Sequence, residues 1–134
     1  MKKVMTFGSF DGLHKGHEHY LKEAKSYGNY LIVVVARDVN IVKFKQRKPQ
    51  HDENDRLLQV KILDFVDEAI LGHEWNITQV LEEYKPDVVC LGYDQKTLSE
   101  ESINKELKKI NSKAKIVRAK AFKPENYKSS KLNK

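Results

Sequence analysis

Two histidines three residues apart, His14 and His17, close a run punctuated by glycine, Thr6-Phe7-Gly8-Ser9-Phe10-Asp11-Gly12-Leu13-His14-Lys15-Gly16-His17. An i, i+3 spacing lets both imidazoles face one side of a helix start. Gly8, Gly12 and Gly16 recur at intervals of four, and glycine allows close backbone approach to a ligand or a positive φ. A strand passing through such a turn into a helix gathers backbone N–H groups and a positive dipole end at one point, which suits an anion. Imidazole adds N–H donors that need carry no charge. The chemistry that fits is the handling of a polyphosphate. By itself the histidine pair would fit a hydrogen-bonded surface cap equally well, so its weight comes from its context. The P-loop and G-x-G-x-x-G spacings are both absent from this run.

The elements that must position these residues alternate in type. Residues 4–7 are expected as a strand, and residues 17–27 as a helix with Tyr20, Leu21 and Ala24 inward and Gly28 closing it. Residues 30–36 form a continuous β-branched run, the pattern of a strand buried on both faces of a parallel sheet. A basic loop is expected over 43–49, then a helix over 53–65 capped by Asp52. Further strands are expected at 69–71, 88–91 and 115–118, with helices at 77–84 and 99–110. This rhythm predicts a Rossmann-like, doubly wound parallel sheet of five strands in a three-layer α/β/α sandwich. Ligands of such sheets lie beyond the carboxyl ends of the strands, here Gly8-Ser9, Arg37-Asp38, Gly92-Tyr93-Asp94 and Ala119.

At 134 residues, one domain over 1–134 is expected, with an ordinary apolar fraction of 40%. No apolar run approaches membrane-spanning length, and the Met-Lys-Lys-Val start does not read as a secretory signal. Cys90 is the only cysteine, which fits a reducing cytoplasm and, within Val-Val-Cys-Leu, a buried small apolar residue. The net charge of +6 is uneven, since residues 105–134 hold eleven Lys/Arg against Glu106 and Glu125. Such a segment can meet any anionic partner. With Phe122 and Tyr127 as its only aromatics, it lacks the interleaved stacking residues of a nucleic-acid surface. No nucleic acid and no membrane are expected as partners. His73-Glu74-Trp75 lacks metal-ligand spacing, and His19 and His51 read as surface residues.

The elements Gly8, Phe10, Asp11, His14, Gly16 and His17 resemble the signature of the H-x-G-H nucleotidyltransferases, in their cytidylyltransferase-like branch, without departure. Arg37-Asp38, the basic stretch from Lys43 with Arg56 beyond it, Gly92-Tyr93-Asp94-Gln95 and Tyr127-Lys128-Ser129-Ser130-Lys131 extend the likeness over nearly the whole chain. The A-R-D and L-G-Y-D-Q segments are similar to those of archaeal-type FAD synthases, and the chain resembles glycerol-3-phosphate cytidylyltransferases almost as much. The FAD synthases tend to carry cysteines near the C-terminus, where this chain has none.

The resemblance implies transfer of a nucleotide from ATP or CTP to a phosphorylated acceptor, with release of pyrophosphate. FMN with ATP is the first choice, and CTP with glycerol 3-phosphate or another sugar or alcohol phosphate is the second. A divalent metal, Mg²⁺, is implied, its ligands unknown. A homodimer is compatible. The resemblance assigns His14 and His17 to the reacting phosphates and Lys43, with Lys45 competing, to a charge clamp. Thr6, Phe7, Gly8, Ser9, Phe10, Gly16, Gly92, Tyr93, Asp94, Tyr127, Ser129 and Ser130 are assigned to the nucleotide. Asp11, Asp38 and Arg56 are assigned to the acceptor side. Asp11 equally fits a turn-capping role, Asp38 a metal or hydroxyl contact, and Arg56 a pair with Asp52 or Glu53. A non-catalytic nucleotide-binding protein remains the alternative from another class.

Overall fold

A computed structural model describes residues 1–45, 48–72, 77–92 and 100–120, with the backbone alone at 43–45. The strand β2 (Tyr30–Val35) has no polar side chain after Tyr30, and Leu31 through Val35 are all buried. A strand with both faces covered belongs inside a parallel sheet. It pairs in parallel with β1 (Lys3–Gly8) on one side and β3 (Glu68–Leu71) on the other. Beyond β1 lie β4 (Val88–Leu91) and then β5 (Lys115–Arg118), also parallel. The order β3-β2-β1-β4-β5 is the doubly wound sheet the alternation predicts. Its direction of winding reverses between β1 and β4, where ligands of such sheets bind.

The pleat divides the core. Val4, Leu31, Val33, Val35 and Cys90 meet Leu21 and Ala24 of α1 (Lys15–Ser26) and Val60 of α3 (Glu53–Lys61). On the other face Met5, Phe7, Ile32, Val34, Val89 and Leu91 meet Val80 and Leu81 of α4 (Ile77–Tyr84) and Ile103 and Leu107 of α5 (Glu100–Lys109). Cys90 is the buried apolar residue expected, and burial pushes its thiol pKa up to about 12. No helix among the described residues is long and apolar enough to cross a membrane.

Three stretches differ by more than one residue from the sequence-based expectation. The first helix starts at Lys15 rather than 17, because His14 caps it. A short helix, α2 (Asp38–Lys45), occupies ground where a basic loop was expected from 43. Its β-branched Val39, Ile41 and Val42 are poor helix formers, and only Ile41 among them is buried. The helix expected over 53–65 stops at Lys61, since Ile62 caps it and Val66 N–H turns back to Leu63 O. Leu63 and Phe65 therefore reach the core from a turn.

Gly28 also differs in role. It is not a left-handed helix cap, since Gly12 is the only glycine with positive φ among the described residues. A Cβ on Gly28 would stand 2.5 Å from Lys2 O. That same carbonyl accepts Asn29 N–H and Tyr30 N–H, at 3.0 and 3.2 Å, and so joins the two strands. Gly28→Ala is expected to lower stability by about 1–3 kcal/mol, read as a shifted urea midpoint. An unchanged midpoint would show that the start of β1 moves freely.

Candidate active site

Helix α1 begins on its own histidines. His14 Nδ1 accepts Gly16 N–H at 3.0 Å, and His17 Nδ1 accepts His14 N–H at 3.3 Å. This is a capping box in which imidazoles replace the usual hydroxyl and carboxylate. A nitrogen that accepts from a backbone N–H carries no proton, so the proton of each neutral ring sits on Nε2. The rings stack with centroids 3.9 Å apart and planes 25° off parallel. Both are thereby fixed in orientation and tautomer, with Nε2–H as the donor end of each.

The turn before them is equally constrained. Phe10 has φ +53°, a left-handed conformation that is costly for a bulky residue. Its ring folds back over Gly8, where a Cβ would lie 2.7 Å from the ring, and meets His17 edge-on at 5.5 Å. Phe10 is 2% exposed, and Phe7 and Thr6 are buried as well. Of the side chains assigned to the nucleotide, these three pack inside the fold: Thr6 and Phe7 because β1 is the central strand with both faces covered, and Phe10 from the turn that follows it. Gly16 uses its N–H for the cap.

Arg56 departs furthest from expectation. It is fully buried and pairs with neither Asp52 nor Glu53. Its Nε donates to His51 O at 2.9 Å, and Nη1 donates to Ser9 O at 2.9 Å and Ala36 O at 2.7 Å. Nη2 donates to Asp38 Oδ1 at 2.6 Å. The guanidinium thus ties the turn after β1, the end of β2, the start of α2 and the entry to α3. From this position it acts on a ligand only through the groups it holds. A signal was present in the sequence: Arg56 and Val60, four apart, share the inward stripe of α3. Glu53 completes the junction, accepting Asp38 N–H at 2.9 Å and pairing with Arg37 at 3.3 Å, while Arg37 Nε donates to Gly72 O at 2.7 Å.

Asp11 does not cap its own turn. Its Oδ2 accepts Gln50 N–H at 2.8 Å, and its Oδ1 accepts His51 N–H at 2.9 Å and lies 3.1 Å from His51 Nδ1. Burial pushes the Asp11 pKa up, but hydrogen bonds from Gln50 N–H and from the ring and N–H of His51 outweigh it and hold it below the ordinary value. His51, expected as a surface residue, keeps 39% of its side chain exposed but is bonded to Asp11 through its N–H and its ring, contacts that no sequence spacing announced. Asp38 sits at the first turn of α2 with 39% of its side chain exposed.

The far side of the switch point is built by β4 and β5. Gly92 O accepts Arg118 Nη1 at 2.7 Å, and Arg118 Nε lies 3.5 Å from Glu100 Oε2. Glu23 of α1 takes Lys120 N–H on both carboxylate oxygens, at 3.0 and 3.1 Å. Tyr93, Asp94, Tyr127, Ser129 and Ser130 lie outside the described residues, as do the side chains of Lys43 and Lys45. Among the described residues no group of three or more His, Cys, Asp or Glu could hold a metal ion.

Comparison with known proteins points the same way as this geometry. Residues 5–134 match the family model described as cytidylyltransferase-like. The FAD synthase of Methanohalobium evestigatum is 48% identical over 118 residues, covering 88% of this chain and 77% of that protein. The FAD synthase of Thermoplasma volcanium is 43% identical over 134 residues, covering 100% and 93%. A crystal structure described as the lipopolysaccharide core biosynthesis protein from T. volcanium superposes with a TM-score of 0.85 at 45% identity, covering 92% of this chain and 99% of that one. A pantoate–β-alanine ligase from Francisella tularensis, complexed with β,γ-ATP and β-alanine, shares the fold at a TM-score of 0.60 and 16% identity, covering 92% and 61%.

Removing the guanidinium would leave three part-buried carbonyls and a carboxylate without this donor. Arg56→Met is expected to cost about 3–5 kcal/mol in chemical denaturation, with Arg56→Lys recovering only part, because one ammonium cannot span four acceptors. A loss under about 1 kcal/mol would put the burial of Arg56 in doubt. Asp11 gives a pH signature. Its folded pKa is depressed, so its stabilisation is present above the ordinary carboxyl value of about 4 and lost as pH falls through the folded value. Thermal melts in that acid range should fall less steeply for Asp11→Asn than for the wild type. Parallel curves would contradict the clamp.

Proposed function

This chain belongs to the cytidylyltransferase-like family, and we propose that it transfers the adenylyl group of ATP to the phosphate of FMN, giving FAD and pyrophosphate. What carries this reading is the set of relatives named FAD synthase at 43–50% identity over most of the chain. The capped histidine pair at the switch point supplies a physical basis for the transfer.

An oxygen of the FMN phosphate attacks the α-phosphorus of ATP in line. The bond from that phosphorus to the oxygen bridging to the β-phosphorus breaks, and pyrophosphate leaves with the electron pair. No covalent enzyme intermediate is required; the protein positions both phosphates and stabilises spreading negative charge. His14 and His17 are the residues we assign to that charge, through their Nε2–H groups. Their caps hold the donors in place before substrate arrives, so no reorganisation is needed at the moment of reaction. Lys43 we assign to a clamp between the two substrates. Ser9 and Gly92, with Tyr93, Asp94, Tyr127, Ser129 and Ser130, are assigned to the nucleotide.

The metal is Mg²⁺ in this reading. The lack of a three-ligand cluster among the described residues fits an ion held mainly by phosphates and water, as Mg²⁺ commonly is, with at most one or two carboxylates. Asp38, partly exposed at the end of Arg56, is the carboxylate placed to contribute. When bound, the ion would neutralise charge on the triphosphate.

Purified protein with Mg²⁺, ATP and FMN should release pyrophosphate and form FAD, and CTP with glycerol 3-phosphate should not turn over. His14→Asn keeps a good helix cap while losing the Nε2 donor. It is expected to lower kcat by about 10²–10³-fold with an unchanged melting temperature. Turnover with CTP alone would contradict the substrate assignment, and an unimpaired His14→Asn would contradict the role of the pair.

A further inference from the structure

We propose that His51 is a contact for the phosphate of the acceptor, held in position by Asp11. This assignment takes FMN as the acceptor, and so rests on the function proposed above. The histidine is fixed at three points. Its N–H donates to Asp11 Oδ1, its carbonyl accepts Arg56 Nε, and its ring Nδ1 lies 3.1 Å from the same Asp11 oxygen. The ionised carboxylate only accepts, so Nδ1 carries the proton that faces it. That leaves Nε2 as the ring nitrogen not committed to Asp11.

The ring stands against the histidine-bearing turn, its Cε1 4.0 Å from the point a Cβ on Gly12 would occupy. Gly12 has φ +81°, a conformation glycine adopts without strain, and carries no side chain to displace the imidazole. With Nδ1 on Asp11 and Cε1 toward Gly12, 39% of the side chain stays exposed. The placement within the sheet selects the substrate. Arg56 gathers Ser9, Ala36 and His51 on the β1–β2 side of the switch point, while Gly92 and Arg118 lie on the β4–β5 side. A nucleotide seated toward Gly92 leaves the His51 side for the molecule whose phosphate attacks. Protonated on both nitrogens in that complex, the ring keeps Nδ1–H on Asp11 and offers Nε2–H to the phosphate dianion.

The test is steady-state kinetics of the full chain with Mg²⁺, varying FMN at saturating ATP and then the reverse. His51→Ala leaves the backbone bonds to Asp11 and Arg56 in place. It should raise KM for FMN about tenfold while kcat and KM for ATP stay within about twofold. His51→Gln, whose amide nitrogen falls near the position of Nε2, should recover most of the FMN affinity. An unchanged KM for FMN in His51→Ala overturns the assignment and leaves the transferase reading standing. Equal rises in both KM values also overturn it, as the sign of a merely structural loop residue. A wild type inactive with FMN under ATP overturns the function on which the assignment rests, and the assignment with it.

Discussion

A single buried guanidinium holds the carboxyl edge of this sheet together. Arg56 is without solvent exposure, and bonds to three main-chain carbonyls and one carboxylate from four separate segments. An ion carried out of water is costly unless charge and hydrogen bonds replace what water supplied. Here the Asp38 carboxylate supplies the charge, and the carbonyls of Ser9, Ala36 and His51 supply the bonds. Each carbonyl sits where the chain has left a strand or is about to enter a helix, and Arg56 is a donor to all three. The cost is met only when all four segments are in place, which makes their arrangement cooperative. Asp11 repeats the logic on a smaller scale, joining the turn after β1 to Gln50 and His51.

The consequence for chemistry is preorganisation. In the reaction we propose the histidines serve two ends: the Nδ1 that caps the helix also leaves the proton of each neutral ring on Nε2. Phe10 supports them from below, in a strained backbone conformation that its own buried ring and the bare Gly8 sustain. Strain of this kind persists where surrounding packing over-determines it, and it gathers at functional turns. The fold therefore delivers two oriented N–H donors to the point where the winding of the sheet reverses. A phosphate arriving there meets donors that need no rearrangement.

Much of this was legible in the residues alone. The run from Leu31 to Val35 could only be an interior parallel strand, and the alternation of short strands and helices left one common topology. The spacing of His14 and His17 after the glycine turn marked the start of α1, where the two rings stack and cap the helix. What was not legible has identifiable causes. Helix α2 is made of residues with weak helical preference, so its formation depends on contacts at Asp38 and Ile41 that lie far away in sequence. Arg56 read as an acceptor contact or a partner of Asp52 or Glu53; its place beside Val60 on the inward stripe was legible, but the carbonyls it serves have no sequence signature. His51 was hidden for the same reason, since its partner Asp11 lies forty residues earlier. Thr6, Phe7 and Phe10 were legible as neighbours of the site but not as packing residues, because a motif records proximity and not the direction of a side chain.

The central claim is that His14 and His17 face a triphosphate with Nε2–H because Nδ1 of each is committed to the start of α1. Nitrogen-15 NMR of the imidazole rings reads this directly. The account predicts both rings as Nε2–H tautomers in the free protein, with both Nε2 resonances shifting when Mg²⁺ and a non-hydrolysable ATP analogue are added. An Nδ1–H tautomer on either ring, or Nε2 signals indifferent to the nucleotide, would contradict it.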